Sequence, residues 1–155
     1  MKTRTAKEQD CAAMVPLFEQ WGHAQTELQV SAVLGLWSST PLGEILLADD
    51  HGTVAGMAAV AASPRFADFG RNATLAGLVV ADAYRRRGVG TMLLTAVETT
   101  ARSWGCGRLE LTSSRSRTAA HDLYLAFGFE ETSERQARYV RALDQQVADL
   151  DLELG

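Results

Sequence analysis

The sequence predicts a single-domain α/β (α+β) fold in which helices flank a mixed central β-sheet. Short apolar segments alternate with segments whose apolar residues recur every three to four positions, which favours strands alternating with helices. The 155 residues suit one domain with a substantial core, since 46% of them are hydrophobic. No internal repeat or low-complexity linker divides the chain. We therefore expect one domain over residues 1–143, followed by an acidic tail over residues 144–155.

In the amino-terminal half, the pattern predicts a strand, two helices and a hairpin. The strand covers Lys2–Ala6, and the first helix covers Asp10–Trp21, where Pro16 should kink the helix or shorten its beginning. Thr26–Ser38 is predicted to be a second helix, broken by Pro41–Gly43. The hairpin strands flank an Asp-Asp-His-Gly turn and cover Glu44–Ala48 and Thr53–Ala61.

The carboxyl-terminal half continues the alternation of strands and helices. After a loop over Pro64–Asn72, the predicted strands are Ala73–Val80, Arg108–Ser113, one near Phe129–Thr132 and Ala137–Leu143. A helix beginning near Thr91 separates the first two strands and ends at Gly105. Another helix ends at Gly128, with Ala120, Leu123, Tyr124 and Phe127 on one face.

Composition excludes several classes of protein. A formal net charge of −4 argues against a general nucleic-acid binder, which would need a basic surface. The amino terminus is polar, and the longest apolar stretches are too short to span a bilayer, so we expect a cytoplasmic protein without a membrane partner. Cys11 and Cys106 lack metal-ligand spacing, which predicts reduced, buried thiols and no metal site.

The most informative local motif is a basic glycine turn at Arg85, Arg86, Arg87, Gly88, Val89 and Gly90. It lies between the apolar run Leu75–Val80, which ends the predicted strand, and the helix that starts near Thr91. Glycines allow the backbone to approach a ligand, and the first helical turn presents unpaired N–H groups to an anion. The arginines add positive charge. This arrangement predicts a cradle for a phosphate or pyrophosphate.

Other interpretations of this turn are possible. A Walker loop is excluded because Thr91, and not lysine, follows Gly90. A dinucleotide fingerprint would need a third glycine where Leu93 stands, although Glu110 lies about 20 residues on, where a ribose-binding acid belongs. A solvated basic turn before an ordinary helix is the simplest alternative.

A second motif downstream gives the turn its context. Ala120, His121, Tyr124, Gly128 and Phe129 follow the strand that begins at Arg108, in the order Ala-His-x-x-Tyr-x-x-x-Gly-Phe. Together with Leu78-Val79-Val80 and Arg85-x-x-Gly-x-Gly, this resembles the GCN5-related N-acetyltransferase (GNAT) family over about residues 70–130. The resemblance implies that residues 1–143 form an acetyltransferase domain with a splayed pair of central strands, and that acetyl-coenzyme A is the co-substrate.

The resemblance also implies roles for individual residues. The free backbone of Leu78, Val79 and Val80 would pair with the pantetheine arm, and the Val80 N–H would face the thioester oxygen. The turn would hold the pyrophosphate through Arg85, Arg86, Arg87, Gly88, Val89, Gly90 and Thr91. Tyr124 would protonate the departing thiolate. His121 would contact cofactor or substrate, or serve structure, and Arg117 stands where many members have asparagine, so its cofactor contact is an open expectation.

The general base is poorly specified by the sequence. Many family members carry an acidic residue near the position of Gly77, where this chain has none. Glu110, His23, Glu44 or a chain of water molecules could take its place. His51 is interpreted as a hairpin residue.

These observations predict an N-acetyltransferase that moves an acetyl group from acetyl-coenzyme A to a primary amine by direct attack in a ternary complex. We expect a small-molecule amine as the partner, with a protein amino terminus or lysine as the alternative acceptor. A catalytically silent acyl-coenzyme A-binding module, which could be regulatory or a homodimer, is the alternative from another class. A dinucleotide-binding fragment is the third interpretation.

Overall fold

The structure of the chain is a computed structural model that describes residues 1–143. The acidic tail expected over residues 144–155 lies outside the described residues. The chain forms two compact units, Met1–Thr112 and the part from Ser113 onward. The first unit contains the sheet and its helices, and the second contains one further helix.

The first unit is built on a five-stranded sheet in the order β1-β2-β3-β4-β5. The strands β1 to β4 are antiparallel, whereas β4 and β5 run parallel, so the sheet is mixed as the sequence predicts. The strands are β1 (Lys2–Thr5), β2 (Gly43–Asp50), β3 (Thr53–Pro64), β4 (Arg71–Val80) and β5 (Cys106–Glu110). The β2–β3 turn is made by His51 and Gly52, which both have positive φ values of 52° and 94°.

Three helices cover the two faces of this sheet. They are α1 (Cys11–Trp21), α2 (Glu27–Ser38) and α3 (Val89–Ser103). Helices α1 and α2 bury Met14 and Val30 against the sheet residues Leu47 and Met57. Helix α3 covers the opposite face. Gly56 precedes Met57 on β3 and therefore faces the other side of the sheet, where it lies under Leu93 and Val89 of α3. The sheet is thus buried between two helical layers.

The ends of the first two helices have local causes. Helix α2 begins at a capping box, in which the Thr26 side chain accepts a hydrogen bond from Gln29 N and the Gln29 side chain accepts one from Thr26 N. Helix α1 continues through Pro16 and ends at Gly22, which has a φ of 92°. The helix begins at Cys11, five residues before Pro16, so the proline does not shorten its beginning.

An ion-paired cluster ties β1 to the start of α1 and to β2. The Arg4 guanidinium donates to both oxygens of Asp10 at 2.8 Å and to Asp49 at 2.7 Å. Both aspartates are buried. Their hydrogen bonds to Arg4 hold the pKa of each carboxyl below its usual range, so both are ionised at neutral pH. Because the opposite charges are hydrogen-bonded to each other, the buried carboxylates are satisfied.

The second unit contains α4 (Thr118–Phe127), which ends at Gly128 with a φ of 111°. As predicted, Tyr124 and Phe127 lie on a half-buried face, and both rings contact Phe129, with centroid distances of 5.8 and 6.1 Å. This aromatic group holds the end of the helix to the chain that follows it.

Several sequence-based boundaries need correction. The strands β2, β3 and β4 are longer than predicted, so the loop between β3 and β4 shrinks to residues 65–70. Strand β5 begins at Cys106 and ends at Glu110, and α3 begins at Val89, two residues before Thr91. The predictions of strands near Phe129–Thr132 and at Ala137–Leu143 are wrong for the described residues, which contain only a short 3-10 turn at Ser133–Arg135 there.

The missing strands have a physical explanation. An alternating sequence gives a strand one apolar face. A strand also needs a neighbouring strand that hydrogen-bonds with its backbone N–H and C=O groups. Within residues 129–143, the side chains of Tyr139, Val140 and Leu143 are exposed and no sheet pairing is present. The alternation was therefore not enough to predict pairing.

Candidate active site

Strand β4 is paired along its full length on one side and along only half of it on the other. Its register with β3 runs from Arg71 to Val80. Its register with β5 covers only Arg71 to Thr74, which pairs with Glu110. Among the described residues, Leu75–Val80 therefore has no strand neighbour on the β5 side. The sheet opens at this point, as the resemblance implied.

A β-bulge marks the place where β4 leaves β5. Leu75 pairs with Val60 and Gly77 pairs with Ala59, so Ala76 is an extra residue on β4. A bulge bends its strand and increases the local twist. Because the bulge lies two residues after Thr74, the last residue paired with β5, it accounts for the divergence of the two strands.

The backbone of Val80 points into the opening. Ala81 N donates to Ala55 O of β3 at 2.8 Å, so the preceding residue turns its own N–H and C=O to the other edge. The same alternation directs the Leu78 backbone to the open edge. Val79, in contrast, pairs with Met57, so its backbone N–H and C=O face β3 and not the open edge.

Gln20, which no sequence pattern singled out, bridges the end of β4. Its Nε2 donates to Val80 O at 2.6 Å, and its Oε1 accepts from Asp82 N at 3.0 Å. The side chain thereby occupies the open edge immediately beyond Val80 and leaves the Val80 N–H on that edge. Gln20 lies 60 residues before Val80, so no local pattern could have revealed this contact.

The predicted anion cradle, Arg85–Gly90, comes after β4 along the chain and leads into α3. Gly88 precedes α3 with a φ of 78°, and a Cβ added there would meet nothing within 4 Å. The first hydrogen bond of the helix runs from Met92 N to Gly88 O, so the N–H groups of Val89, Gly90 and Thr91 point out of the helix end, which has no side-chain cap. This backbone suits a pyrophosphate, whose oxygens need donors and close approach.

Arg86 adopts a backbone conformation that favours glycine. Its φ is 60°, in the left-handed region, where an L side chain is disfavoured by about 1–2 kcal/mol. Strain of this kind persists where the surroundings impose it and is concentrated at functional sites. The turn into the cradle therefore imposes a left-handed residue at this position.

The three arginines differ in what they contact. Arg85 forms an ion pair with Asp82 at 3.1 Å, and both side chains are largely exposed. Arg87 lies over the ring of Tyr84, 5.4 Å from its centroid, and the Tyr84 hydroxyl donates to Asp50 at 2.9 Å. The hydrogen bond to Asp50 raises the pKa of Tyr84. These contacts orient Arg85 and Arg87 while leaving both guanidinium groups accessible at the surface.

The remaining predicted residues belong to the second unit. Burial raises the pKa of the Tyr124 hydroxyl, an effect that the charge of Arg117 partly offsets, so the group is a protonated phenol at neutral pH. Arg117 immediately precedes α4, and its carbonyl accepts from His121 N at 3.1 Å. His121 is half-buried on this helix.

The structure separates the candidates for the base. Glu110 is exposed and ion-paired with Arg108 at 3.2 Å. Glu44 accepts a hydrogen bond from Thr5 and lies on the opposite sheet face from its neighbour Ile45, which packs under α1 and α2. His23 follows α1, and its ring lies 4.6 Å from that of Trp21.

Trp21 places His23 close to the open half of β4. A Cβ added to Gly77 would lie 2.6 Å from Cη2 of Trp21, so the indole covers this glycine directly. The place where many family members carry an acidic residue is thus occupied by an aromatic ring, with His23 at its edge. His51, which lies in the β2–β3 turn, has a side chain that is 91% exposed.

Within residues 1–143, none of the helices has the length and hydrophobicity that crossing a bilayer requires. The same residues contain no cluster of three or more His, Cys, Asp or Glu side chains suited to a metal ion.

Comparison with solved structures places this architecture among known folds. A transcriptional regulator from Bacillus halodurans matches with a TM-score of 0.81 and 21% identity, covering 91% of this chain and 99% of that one. The aminoglycoside 6'-N-acetyltransferase AAC(6')-IG from Acinetobacter haemolyticus matches with a TM-score of 0.76 and 20% identity, covering 93% and 100%. AAC(6')-Iy, solved with a bisubstrate analogue of coenzyme A, matches with a TM-score of 0.78 and 21% identity, covering 92% and 98%.

At these identities the matches establish the fold. A search of curated proteins finds no match to the sequence. The model of the acetyltransferase (GNAT) family matches residues 7–129, which include β4, the cradle and α4. The family uses acetyl-coenzyme A, and the open strand and the uncapped helix end in this chain fit that co-substrate. The chain belongs to the GNAT acetyltransferase family.

Proposed function

We propose that this protein transfers the acetyl group of acetyl-coenzyme A to a primary amine of a small molecule, by direct attack in a ternary complex. The observation that carries this proposal is that two sets of backbone hydrogen-bonding groups lie close together along the chain. Leu78 and Val80 present backbone groups at the open edge of β4, and the uncapped N-terminus of α3 begins nine residues after Val80. One ligand with an extended arm and a pyrophosphate would use both.

In this mechanism, the Val80 N–H donates to the thioester oxygen as negative charge develops on it. A fixed donor at such a position stabilises the transition state more than the ground state, because the charge is larger there. Gln20 holds the adjacent carbonyl of Val80 and the Asp82 N–H in place, so the strand end is prearranged before the ligand binds.

We propose His23 as the base that accepts a proton from the attacking amine. The supporting observation is its ring contact with Trp21, which itself lies over Gly77 on the open half of β4. Replacing His23 with Gln should lower turnover by about 10²-fold to 10⁴-fold, the usual range for general base catalysis. The matched control is His51→Gln, which changes an exposed histidine in the β2–β3 turn.

We propose Tyr124 as the acid that protonates the departing thiolate. Burial raises the pKa of the Tyr124 hydroxyl, so at neutral pH the phenol carries the proton that it would donate. Tyr124→Phe should lower kcat and kcat/KM together by about 10²-fold to 10⁴-fold, with acetyl-coenzyme A affinity retained. Tyr139→Phe, at an exposed tyrosine, is the control.

The deciding experiment measures thiol release from acetyl-coenzyme A with a panel of small amines and with peptides that offer an amino terminus or a lysine. Amine-dependent release, confirmed by mass of the acetylated product, is the expected result. Release with peptides alone would contradict the small-molecule acceptor. Tight binding of acetyl-coenzyme A without release by any acceptor would favour the silent binding module.

A further inference from the structure

An apolar cavity lies between α1, α2 and the sheet, beside the open half of β4. Its volume is about 160 Å³. The lining consists entirely of apolar residues, contributed by both helices and by β2, β3 and β4: Met14, Phe18, Trp21, Val33, Trp37, Ile45, Met57, Ala58, Ala59, Ala76, Gly77 and Val79.

We infer that this cavity receives the apolar part of the acceptor, so that the substrate is a primary amine carrying one group about the size of a phenyl ring. The inference rests on the proposed function and names the substrate class for it. An apolar protein cavity of roughly 150 Å³ is large enough to bind benzene. A phenyl or a similarly sized branched alkyl group would fill the space.

The chemistry of the lining supports the same class. No lining residue carries a charge or a side-chain hydroxyl. A sugar ring placed here would lose its hydrogen bonds to water without replacement, and each unpaired hydroxyl would oppose binding. An apolar group would gain from burial without that penalty. The cavity therefore selects against a polyhydroxylated, polycationic amine such as an aminoglycoside.

The cavity also lies beside the residues to which the proposed function assigns roles in transfer. Gly77 and Val79 form part of its wall, and Val80 is the next residue along β4, with its N–H on the open edge. The absence of a side chain at Gly77 matters here, because the Trp21 indole occupies that space and lines the cavity in its place. With the apolar group inside, the amine would remain outside, near the edge of Trp21 that His23 contacts.

The first test measures binding without catalysis. Trp21 and Trp37 line the cavity, whereas Trp104 follows α3, so the fluorescence of a Trp104→Phe background reports mainly on the cavity. Titration with benzyl alcohol, a neutral probe, should change this fluorescence in a saturable way, and glycerol should not. Ala59→Leu, which fills part of the cavity, should abolish the change. Ala61→Leu adds the same group on the same strand outside the lining and should preserve it.

The second test compares acceptors by kcat/KM. Benzylamine and phenethylamine should exceed ethanolamine and kanamycin by at least about 10-fold, since one methylene in an apolar pocket is worth about 10-fold to 200-fold. Ala59→Leu should remove that preference while acetyl-coenzyme A affinity stays unchanged.

The outcomes separate this inference from the proposed function. Saturable binding of benzyl alcohol that Ala59→Leu removes, without turnover of any amine, would support the cavity as a ligand site and overturn the enzymatic role. Turnover of ethanolamine or kanamycin equal to that of benzylamine, with no fluorescence response, would overturn this inference and leave the proposed function standing.

Discussion

The two halves of β4 have the same strand conformation but different surroundings. Arg71–Thr74 lies between β3 and β5, whereas Leu75–Val80 is paired with β3 alone among the described residues. In the first half, the backbone groups are used to build the sheet. In the second half, every other residue turns its N–H and C=O toward an opening, which Gln20 fills in part. One strand thereby completes the sheet at one end and, in the proposed function, binds the ligand at the other.

The difference has a simple physical origin. A sheet strand without a neighbour leaves donors and acceptors that need partners. The bulge at Ala76 turns β4 away from β5 and creates such a segment inside the protein rather than at an outer edge. Substitutions in the two halves should therefore have different effects, on folding in the paired half and on ligand binding and turnover in the open half.

Among substitutions that test this comparison, the largest effect is expected from removing one N–H in each half of β4. Val80→Pro deletes a donor that the sheet does not use, so it should lower kcat by about 10²-fold to 10³-fold with a small change in Tm. Ala73→Pro deletes a group in the half paired on both sides and should instead prevent or strongly destabilise folding. Steady-state thiol release and thermal melting of both variants measure the contrast. Equal turnover in Val80→Pro and the unmodified protein would remove Val80 from the mechanism.

Blocking the cradle should have the next largest effect. Gly90→Val places a branched side chain in the first turn of α3, where a pyrophosphate would need to approach the backbone. We expect acetyl-coenzyme A affinity to fall by at least about 10²-fold, with the fold retained, because a valine is tolerated in a helix. Calorimetric titration of the folded variant decides the matter, and unchanged affinity would refute the cradle.

The arginines should contribute less, and mainly through charge. Arg85→Ala and Arg87→Ala should each weaken acetyl-coenzyme A binding by about 5-fold to 10-fold and reduce its sensitivity to added salt. Arg102→Ala, which removes an exposed cation paired with Glu98 on α3, is the matched control and should leave both quantities unchanged. Affinity measured between low and high ionic strength distinguishes a bound anion from a solvated basic turn.

Gln20→Leu should weaken ligand binding at the open half of β4 without abolishing it. The change removes a donor to Val80 O and an acceptor for Asp82 N, so we expect acetyl-coenzyme A affinity to fall about 3-fold and Tm to fall by about 2–4 °C. Gln29→Leu, in the capping box of α2, should lower Tm without changing the affinity. If both variants left affinity unchanged, Gln20 would be a structural bridge only.

The smallest expected effect is a gain in stability. Arg86→Gly relieves a left-handed residue and should raise Tm by about 1–3 °C, after allowance for the flexibility of glycine in the unfolded chain. Arg86→Ala removes the same charge without relieving the backbone. Loss of acetyl-coenzyme A affinity in both variants, with a higher Tm only in the glycine variant, would separate the role of the charge from that of the conformation.

The sequence predicted those features that depend only on residues close together along the chain. The turn from Arg85 to Gly90 joins a strand to a helix start, and the structure forms both elements there, with α3 beginning two residues early. Gly128 and Gly105, chosen as helix ends, both have positive φ values. The mixed sheet, the GNAT family and acetyl-coenzyme A were also predicted and are confirmed.

Sequence reasoning failed where an element depends on a distant partner. Ala137–Leu143 has a strand-like alternation, yet no pairing is present within the described residues, because alternation does not specify a neighbour. The candidate bases Glu110, Glu44 and His23 could not be ranked until the sheet faces were known. Gln20 gave no signal at all, since an isolated glutamine near the end of a helix has no distinguishing pattern.

The sequence by itself determined the local features of this protein: the glycine turn, the uncapped start of α3 and the ends of α2 and α4. Each depends on residues within a few positions of one another, whose backbone preferences and caps act over a single turn. Only the tertiary structure decided where the sheet opens, which carbonyl Gln20 holds and what size of apolar group fits beside Gly77. Those properties arise from packing between segments far apart along the chain, such as Gln20 and Val80, which are separated by 60 residues, and a single sequence contains no register for such contacts.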